Sequence, residues 1–309
     1  MQHTLKIIYM GTPEFAVAGL KILLENGFHI VAVVTAPDKP SGRGLHLQQS
    51  PVKQFAVSNN IPVLQPEKLK NPEFISSLRS YHADLQVVVA FRMLPEIVWN
   101  MPPLGTLNLH ASLLPDYRGA APINHAIING EKITGATTFF LKHEIDTGDI
   151  IFSEKINIEE NDDAGTLHDK LMDLGADLIL KTVTAIEANN YTPVPQSTSS
   201  QKIAPKIFKE NCMINWNDTT ENIRNFIRGL SPYPAAYTIV NNKSLKIFKA
   251  EKEITSHNET PGKLITDNKS YIKFAATDGF INVKELQSEG KKRMATPDFL
   301  RGNNLSANN

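Results

Sequence analysis

Asn108 and His110 stand two residues apart in Thr106-Leu107-Asn108-Leu109-His110, a short apolar run that reads as a β-strand. Side chains two apart on a strand project to the same face, so an amide donor and an imidazole converge there. Such a pair suits a reaction that builds negative charge on an oxygen and moves a proton near neutral pH. On spacing alone, a buried, hydrogen-bonded structural histidine explains His110 equally well. A second candidate is His143-Glu144-Ile145-Asp146-Thr147-Gly148-Asp149, a loop between two apolar strands. Asp146 placed beside His110 could orient the ring or accept a proton. Turn chemistry accounts for both aspartates just as readily. Asn108, His110 and Asp146 together lack the further ligands a metal needs, so no metal is expected, and they make a reasonable acyl-transfer site.

A third cluster is Pro37-Asp38-Lys39-Pro40-Ser41-Gly42-Arg43-Gly44. Its prolines, glycines and the cations Lys39 and Arg43 describe a cationic loop. Arg43 between two glycines suits a phosphate contact, against the plainer reading of a solvated loop. Gly11-Thr12-Pro13-Glu14-Phe15 follows the first strand but supplies one glycine where a dinucleotide fingerprint needs three, and puts a carboxylate where phosphate would lie. Gly11 therefore reads as a structural turn.

The elements that must position these residues alternate between strand and helix over the first 190 residues or so. Strands are predicted at Leu5–Met10, Phe28–Thr35, Leu85–Ala90, Thr106–His110, Thr134–Leu141 and Ile150–Ile158. A helix is predicted over Glu14–Glu25, and a long one opens at Thr166, with Asp169 as a weak capping signal. The pattern is that of a Rossmann-like α/β domain with a mostly parallel sheet over residues 1–190. Residues 191–208 are rich in Pro, Ser and Thr and read as a linker. Residues 209–309 carry one helix, Thr219–Arg228, and short strands separated by Asn-Asn, Asp-Asn and Asp-Gly turns, which predicts a small OB-like β-barrel.

Composition narrows the function classes. The chain has 309 residues, of which 41% are hydrophobic and 21% charged, an ordinary globular balance. The single cysteine excludes an internal disulfide and a Cys-rich zinc site. No apolar run reaches the ~20 residues of a membrane span, and the N-terminus lacks a signal-peptide layout, so a cytoplasmic protein with no membrane partner is expected. Net charge is zero, yet Gln201–Asn309 holds 17 Lys+Arg against 11 Asp+Glu. That excess leaves room for a polyanion on the C-terminal third, although a scattered surface imbalance gives the same count.

Taken in order, the pieces resemble the methionyl-tRNA formyltransferases. The resemblance rests on Gly11–Phe15, Ala36–Pro40 running to Arg43-Gly44, Asn108–Pro115, Arg118–Ile123, Asp146–Asp149 and Gly165–Leu167. It continues through Trp216, Asn225–Gly229, Pro232-Tyr233-Pro234, Gly279 and Gly290-Lys291-Lys292. It implies a formyltransferase domain, a linker and an OB-like C-terminal domain that touches tRNA. The implied reaction moves a formyl group from 10-formyltetrahydrofolate to the α-amine of methionine on initiator methionyl-tRNA, for translation initiation, by a monomer. The resemblance implies that Asn108, His110 and Asp146 are catalytic and that Ser112, Leu113, Leu114 and Pro115 face the folate. It also implies that the loop with Lys39 and Arg43 binds the tRNA acceptor end. Arg92 departs from the small residue that relatives often carry beside the folate site. Rival readings are an N-formyltransferase acting on a sugar or other small amine, a folate-dependent hydrolase that releases formate, and a non-enzymatic RNA-binding protein.

Overall fold

The protein is described here from a computed structural model covering residues 3–41, 46–197 and 202–305. In chain order the first elements are β1 (Lys6–Gly11), α1 (Glu14–Glu25), β2 (His29–Val34), β3 (Lys39–Ser41), β4 (His46–Gln48), α2 (Pro51–Ser58), β5 (Val63–Leu64), α3 (Pro72–Ser80), β6 (Leu85–Val89), α4 (Glu96–Trp99) and β7 (Thr106–His110). They continue with β8 (Arg118–Gly119), α5 (Pro122–Ile128), β9 (Ile133–Phe140), β10 (Ile150–Asn157), α6 (Ala164–Glu187) and β11 (Ile203–Ala204). The last group is α7 (Thr220–Leu230), β12 (Ala236–Val240), β13 (Lys243–Ile254), β14 (Leu264–Thr266), β15 (Ile272–Ala275), β16 (Gly279–Ser288), β17 (Met294–Ala295) and α8 (Thr296–Leu300).

Contacts divide the chain into two compact units. One comprises Met1–Arg118, Thr134–Ile156 and His168–Ile203; the other comprises Gly119–Ile133, Asn157–Leu167 and Ala204–Asn309. Composition suggests a single cut in the 191–208 stretch, whereas contacts group α5 and residues 157–167 with the C-terminal residues. Helix packing explains why. On α7 a Cβ at Gly229 would come within 2.6 Å of Ile128 on α5, so the two helices approach closely. The buried Arg228 guanidinium donates to the carbonyls of Asp162 at 2.9 Å and Glu159 at 3.3 Å, and to Asn225 Oδ1 at 2.9 Å. Burial lowers the pKa of Arg228 from its usual value. These carbonyls supply the acceptors that a buried cation requires.

The first unit is built on a seven-stranded sheet in the order β10-β9-β7-β6-β1-β2-β5. β7, β6, β1, β2 and β5 are parallel, and β9 runs antiparallel to β7. Strands covered on both faces need continuous apolar runs, and all five residues of β6 are buried. Helix α1 lays Phe15, Ala16, Leu20 and Leu23 on the core. A Cβ at Gly11 would sit 2.5 Å from the Ala16 Cβ and 3.0 Å from the Val89 carbonyl oxygen, so this glycine is required for close strand–helix packing. The Tyr9 hydroxyl, fully buried, donates to the Ala16 carbonyl at 2.7 Å, and burial pushes its pKa far up. Helix α6 starts two residues before the expected position: Asp163 Oδ1 accepts from the Thr166 N–H and Thr166 Oγ1 accepts from the Asp163 N–H, both at 2.9 Å. Thr166 thus closes a reciprocal capping box and is not itself the cap.

The second unit carries an antiparallel sheet in the order β12-β13-β16-β15-β14, with β17 added to β16. Its two ends, β12 and β14, are not paired with each other, so the expected small barrel is an antiparallel half-barrel. The 12-residue β13 shifts register between Ile247 and Lys249 and again before Ala250, which lets a long strand curl. Helix α7, capped by Thr219 Oγ1 accepting from the Asn222 N–H, supplies Ile223, Ile227 and Leu230 to the same core.

Candidate active site

Asn108 and His110 lie at the carboxyl end of β7, the end at which open α/β sheets hold ligands. Leu109 points to the opposite face, where a Cβ at Gly175 of α6 would come within 2.7 Å of Leu109 Cδ2. The alternation therefore sends the amide and the imidazole away from the α6 side. Asn108 is half-buried, and among the described residues its side chain makes no hydrogen bond to protein. Its amide is available to a reacting group.

His110 is buried, and its ring is oriented from both sides. Nε2 lies 2.9 Å from the Tyr117 carbonyl oxygen. A carbonyl only accepts, so Nε2 carries a proton and donates it in this bond. Nδ1 is left as the atom that can gain or lose a proton, and it faces Asp146 Oδ2 at 3.8 Å. The backbone at Tyr117 is itself held, because the preceding peptide N–H, that of Tyr117, donates to the Lys202 carbonyl at 2.8 Å. A backbone carbonyl thus selects the tautomer, and a carboxylate faces the working nitrogen.

The 142–149 loop aims Asp146. Asp146 adopts φ of 55°, in the left-handed region that Asp tolerates better than most residues. Two positions on, a Cβ at Gly148 would fall 1.6 Å from the Phe140 carbonyl oxygen, so no side chain fits there. Asp149 pairs with Lys142 at 2.7 Å, and Thr147 Oγ1 donates to the Glu144 carbonyl at 3.0 Å. The two aspartates are thereby distinguished: Asp149 ties the loop and Asp146 faces the imidazole. Gln196 Nε2 also donates to the carbonyls of Asp146 and Gly148. Neither Gln196 nor Tyr117 is singled out by sequence reasoning. A carbonyl's role leaves no mark in residue type, and Gln196 sits within the stretch read as a linker.

The Ser112–Pro115 stretch is a buried turn after β7. Ser112 Oγ donates to the Asp116 carbonyl at 2.6 Å, and the Leu114 N–H donates to Thr137 Oγ1 at 3.1 Å. Thr137 Oγ1 in turn donates to the Ser112 carbonyl at 2.7 Å. Ser112 and Leu114 are buried, whereas Leu113 and Pro115 are half-exposed. Arg92 donates to the carbonyls of Glu67, at 2.8 Å, and Pro66, which turns its guanidinium onto the 66–67 segment.

Lys39 is exposed in β3, paired opposite Gln48 of β4. Arg43 lies outside the described residues. The root of this arm is anchored by Asp38, whose carboxylate accepts from Lys53 Nζ at 2.5 Å and from Gln65 Nε2 at 2.7 Å. Those bonds, Lys53 first, hold the Asp38 carboxyl below the usual range of 3.8. A depressed carboxyl pKa stabilises the fold at pH above the usual carboxylate range, and the contribution fades as pH falls through the lowered value. A carbon-detected NMR titration is expected to place Asp38 below 3.8, and Lys53→Met is expected to move it back up. An unmoved midpoint in the variant would remove Lys53 as the cause.

Among the described residues no cluster of three or more His, Cys, Asp or Glu side chains could hold a metal. None of the described helices is long and apolar enough to cross a membrane.

Comparison with known proteins gives a concordant result. The formyl transferase family profile matches residues 5–183, and the profile for the formyl transferase C-terminal domain matches residues 206–304. The methionyl-tRNA formyltransferase of Bacteroides fragilis is 54% identical, with 99% of this chain and 97% of the relative covered. That of Phocaeicola vulgatus is 58% identical, with 99% and 98% covered. Among solved structures, the sugar 3N-formyltransferase WlaRD, determined in the presence of dTDP and 5-N-formyl-THF, superposes with a TM-score of 0.66 at 26% identity, covering 94% of this chain and all of that one. HypX from Aquifex aeolicus, in complex with tetrahydrofolic acid, gives 0.63 at 18% identity over 96% of this chain and 47% of that one, a likeness of fold. With both family profiles matched in order and relatives more than half identical over almost its entire length, the chain belongs to the methionyl-tRNA formyltransferase family.

Proposed function

We propose that this site transfers a formyl group from 10-formyltetrahydrofolate to the α-amino group of methionine carried on initiator methionyl-tRNA, in the cytoplasm and as a monomer. The observation that carries the reading is the meeting of His110 Nδ1 and Asp146 Oδ2 at 3.8 Å, with the Asn108 amide two residues before His110 on the same strand, in a chain of this family. The acceptor amine must be neutral to attack the formyl carbon. As the new C–N bond forms, charge develops on the formyl oxygen. The Asn108 amide donates to that oxygen. His110 Nδ1, in its protonated form, donates there as well or delivers its proton to the departing folate nitrogen. Asp146, the counter-ion of the imidazolium, receives the proton that the amine loses and passes it to His110 Nδ1 once the imidazole has protonated the folate nitrogen. The folate nitrogen gains one proton and the amine loses one, so no proton is consumed overall.

Leu113 and Pro115, half-exposed in the turn that follows His110, are the members of the Ser112–Pro115 stretch best placed to touch the folate through side chains; Ser112 and Leu114 shape the turn from within. The C-terminal half-barrel, with its basic balance, is assigned to the tRNA, as is the arm that bears Lys39 and Arg43. Formyl-transfer assays with initiator methionyl-tRNA, free methionine, an amino sugar and no acceptor test the reading. Transfer to the tRNA alone supports it. Transfer to the amino sugar alone, or formate release without an acceptor, would overturn it. Arg43→Ala is expected to raise the KM for tRNA about tenfold through loss of one charged phosphate contact, while the KM for folate stays within twofold. Equal losses for both substrates would count against the assignment of that loop.

A further inference from the structure

We infer that Gln196, oriented by Arg118, is a positioning residue that holds Asp146 against His110; the inference rests on the catalytic reading of Asp146 given above. The side-chain amide of Gln196 is used in full. Nε2 donates to the Asp146 carbonyl and to the Gly148 carbonyl, both at 2.8 Å, one for each of its two hydrogens. Oε1 accepts from Arg118 Nη2 at 2.6 Å and from Arg118 Nε at 3.1 Å. That fork fixes which end of the amide is oxygen and which is nitrogen. A flipped amide would set a carbonyl against two carbonyls and an NH2 against a guanidinium.

The position of Gln196 is set independently by main-chain pairing. Two residues earlier, Val194 exchanges both backbone hydrogen bonds with Ile150, each at 2.8 Å. This bridge brings a Pro- and Thr-rich stretch alongside the start of β10 and delivers Gln196 to the loop that precedes it. The loop needs an external hold, because Asp146 occupies the left-handed region and Gly148 is pressed against the Phe140 carbonyl. The bonds fall on the Asp146–Thr147 and Gly148–Asp149 peptide units, so they hold the backbone that leads directly out of Asp146 and with it the direction of that side chain. The same guanidinium belongs to Arg118, which follows Tyr117 directly, and the Tyr117 carbonyl orients the imidazole. Gln196 therefore links the two backbone segments that aim His110 and Asp146.

The test uses the full-length protein, with Gln196→Met and Gln196→Glu measured alone and in combination with Asp146→Asn. The methionine removes both donors and the acceptor. The glutamate keeps an acceptor for Arg118 but cannot donate to the two carbonyls. Both single variants are expected to lower the single-turnover rate of methionyl-tRNA formylation roughly tenfold, the loss of two neutral hydrogen bonds, with KM for folate and for tRNA within twofold of wild type and an unchanged melting midpoint. In the Asp146→Asn background the same substitutions are expected to cost less than twofold, because the residue they position has already lost its function. A Gln196→Glu enzyme at the wild-type rate overturns the inference, since the Arg118 contact alone would then suffice. A full tenfold loss on top of Asp146→Asn also overturns it, since Gln196 would act by another route. If Asp146→Asn itself transfers at the wild-type rate, the catalytic reading of Asp146 fails first, and that result is distinct from the other two.

Discussion

His110→Ala is expected to slow single-turnover formylation by on the order of a thousandfold, and Asp146→Asn to slow it by a similar factor, with methionyl-tRNA binding largely retained. The magnitude follows from the contribution of a positioned proton-transfer group, roughly a hundred- to ten-thousandfold. The Nε2–H of His110 is committed to the Tyr117 carbonyl at 2.9 Å, so the chemistry falls to Nδ1 and there is no second nitrogen to take over. Nδ1 faces Asp146 Oδ2 at 3.8 Å, and both side chains are largely shielded from solvent. An asparagine at 146 keeps the shape and removes the charge, so the imidazolium loses its counter-ion and the amine loses its proton acceptor. The two substitutions act on one unit, and the double variant should be little slower than either single one. Rapid-quench measurement of formyl-methionyl-tRNA under single-turnover conditions provides the check. A His110→Ala rate within tenfold of wild type, or full multiplication of the two losses, would contradict the pairing.

The second large effect is at Asn108. Removing one oxyanion donor costs ~3 kcal/mol of barrier, so Asn108→Ala is expected to lower turnover roughly a hundredfold or more. The substitution is clean because the strand does not depend on that side chain. β7 is held by main-chain pairing, with Asn108 opposite Val88 on one side and Phe139 on the other. The melting midpoint should therefore stay near that of wild type, while the rate falls and the KM for tRNA changes little. Such a split separates a donor to the transition state from a residue that merely shapes the strand. A single-turnover rate within a few-fold of wild type would refute the assigned role.

Local pattern carried much of this protein. The apolar run of β7 and its two-residue spacing set Asn108 and His110 on one face, and the strand spans the predicted Thr106–His110. Helix α1 spans the predicted Glu14–Glu25, because its apolar spacing is strong and Asn26-Gly27 ends it. Helices α2 and α3 are not predicted from the sequence pattern, although each opens with a side-chain cap, Ser50 or Asn71, and a proline in its first turn. At eight and nine residues they are too short for periodicity to stand out from the loops around them. The long α6 begins at Ala164, ahead of the predicted opening at Thr166, because Thr166 serves equally well as a cap or as the third residue of a capping box.

Residue type and spacing were enough to nominate an amide, an imidazole and a carboxylate, since each carries its chemistry wherever the chain places it. They could not say which aspartate of Asp-Thr-Gly-Asp faces the histidine, which ring nitrogen works, or that a Pro- and Thr-rich stretch braces the loop. Those outcomes depend on main-chain groups: the Tyr117 carbonyl on Nε2, the Val194–Ile150 bridge, and the Asp146 and Gly148 carbonyls on Gln196. Every residue has the same peptide carbonyl, so only the path of the folded backbone decides which ones meet a side chain.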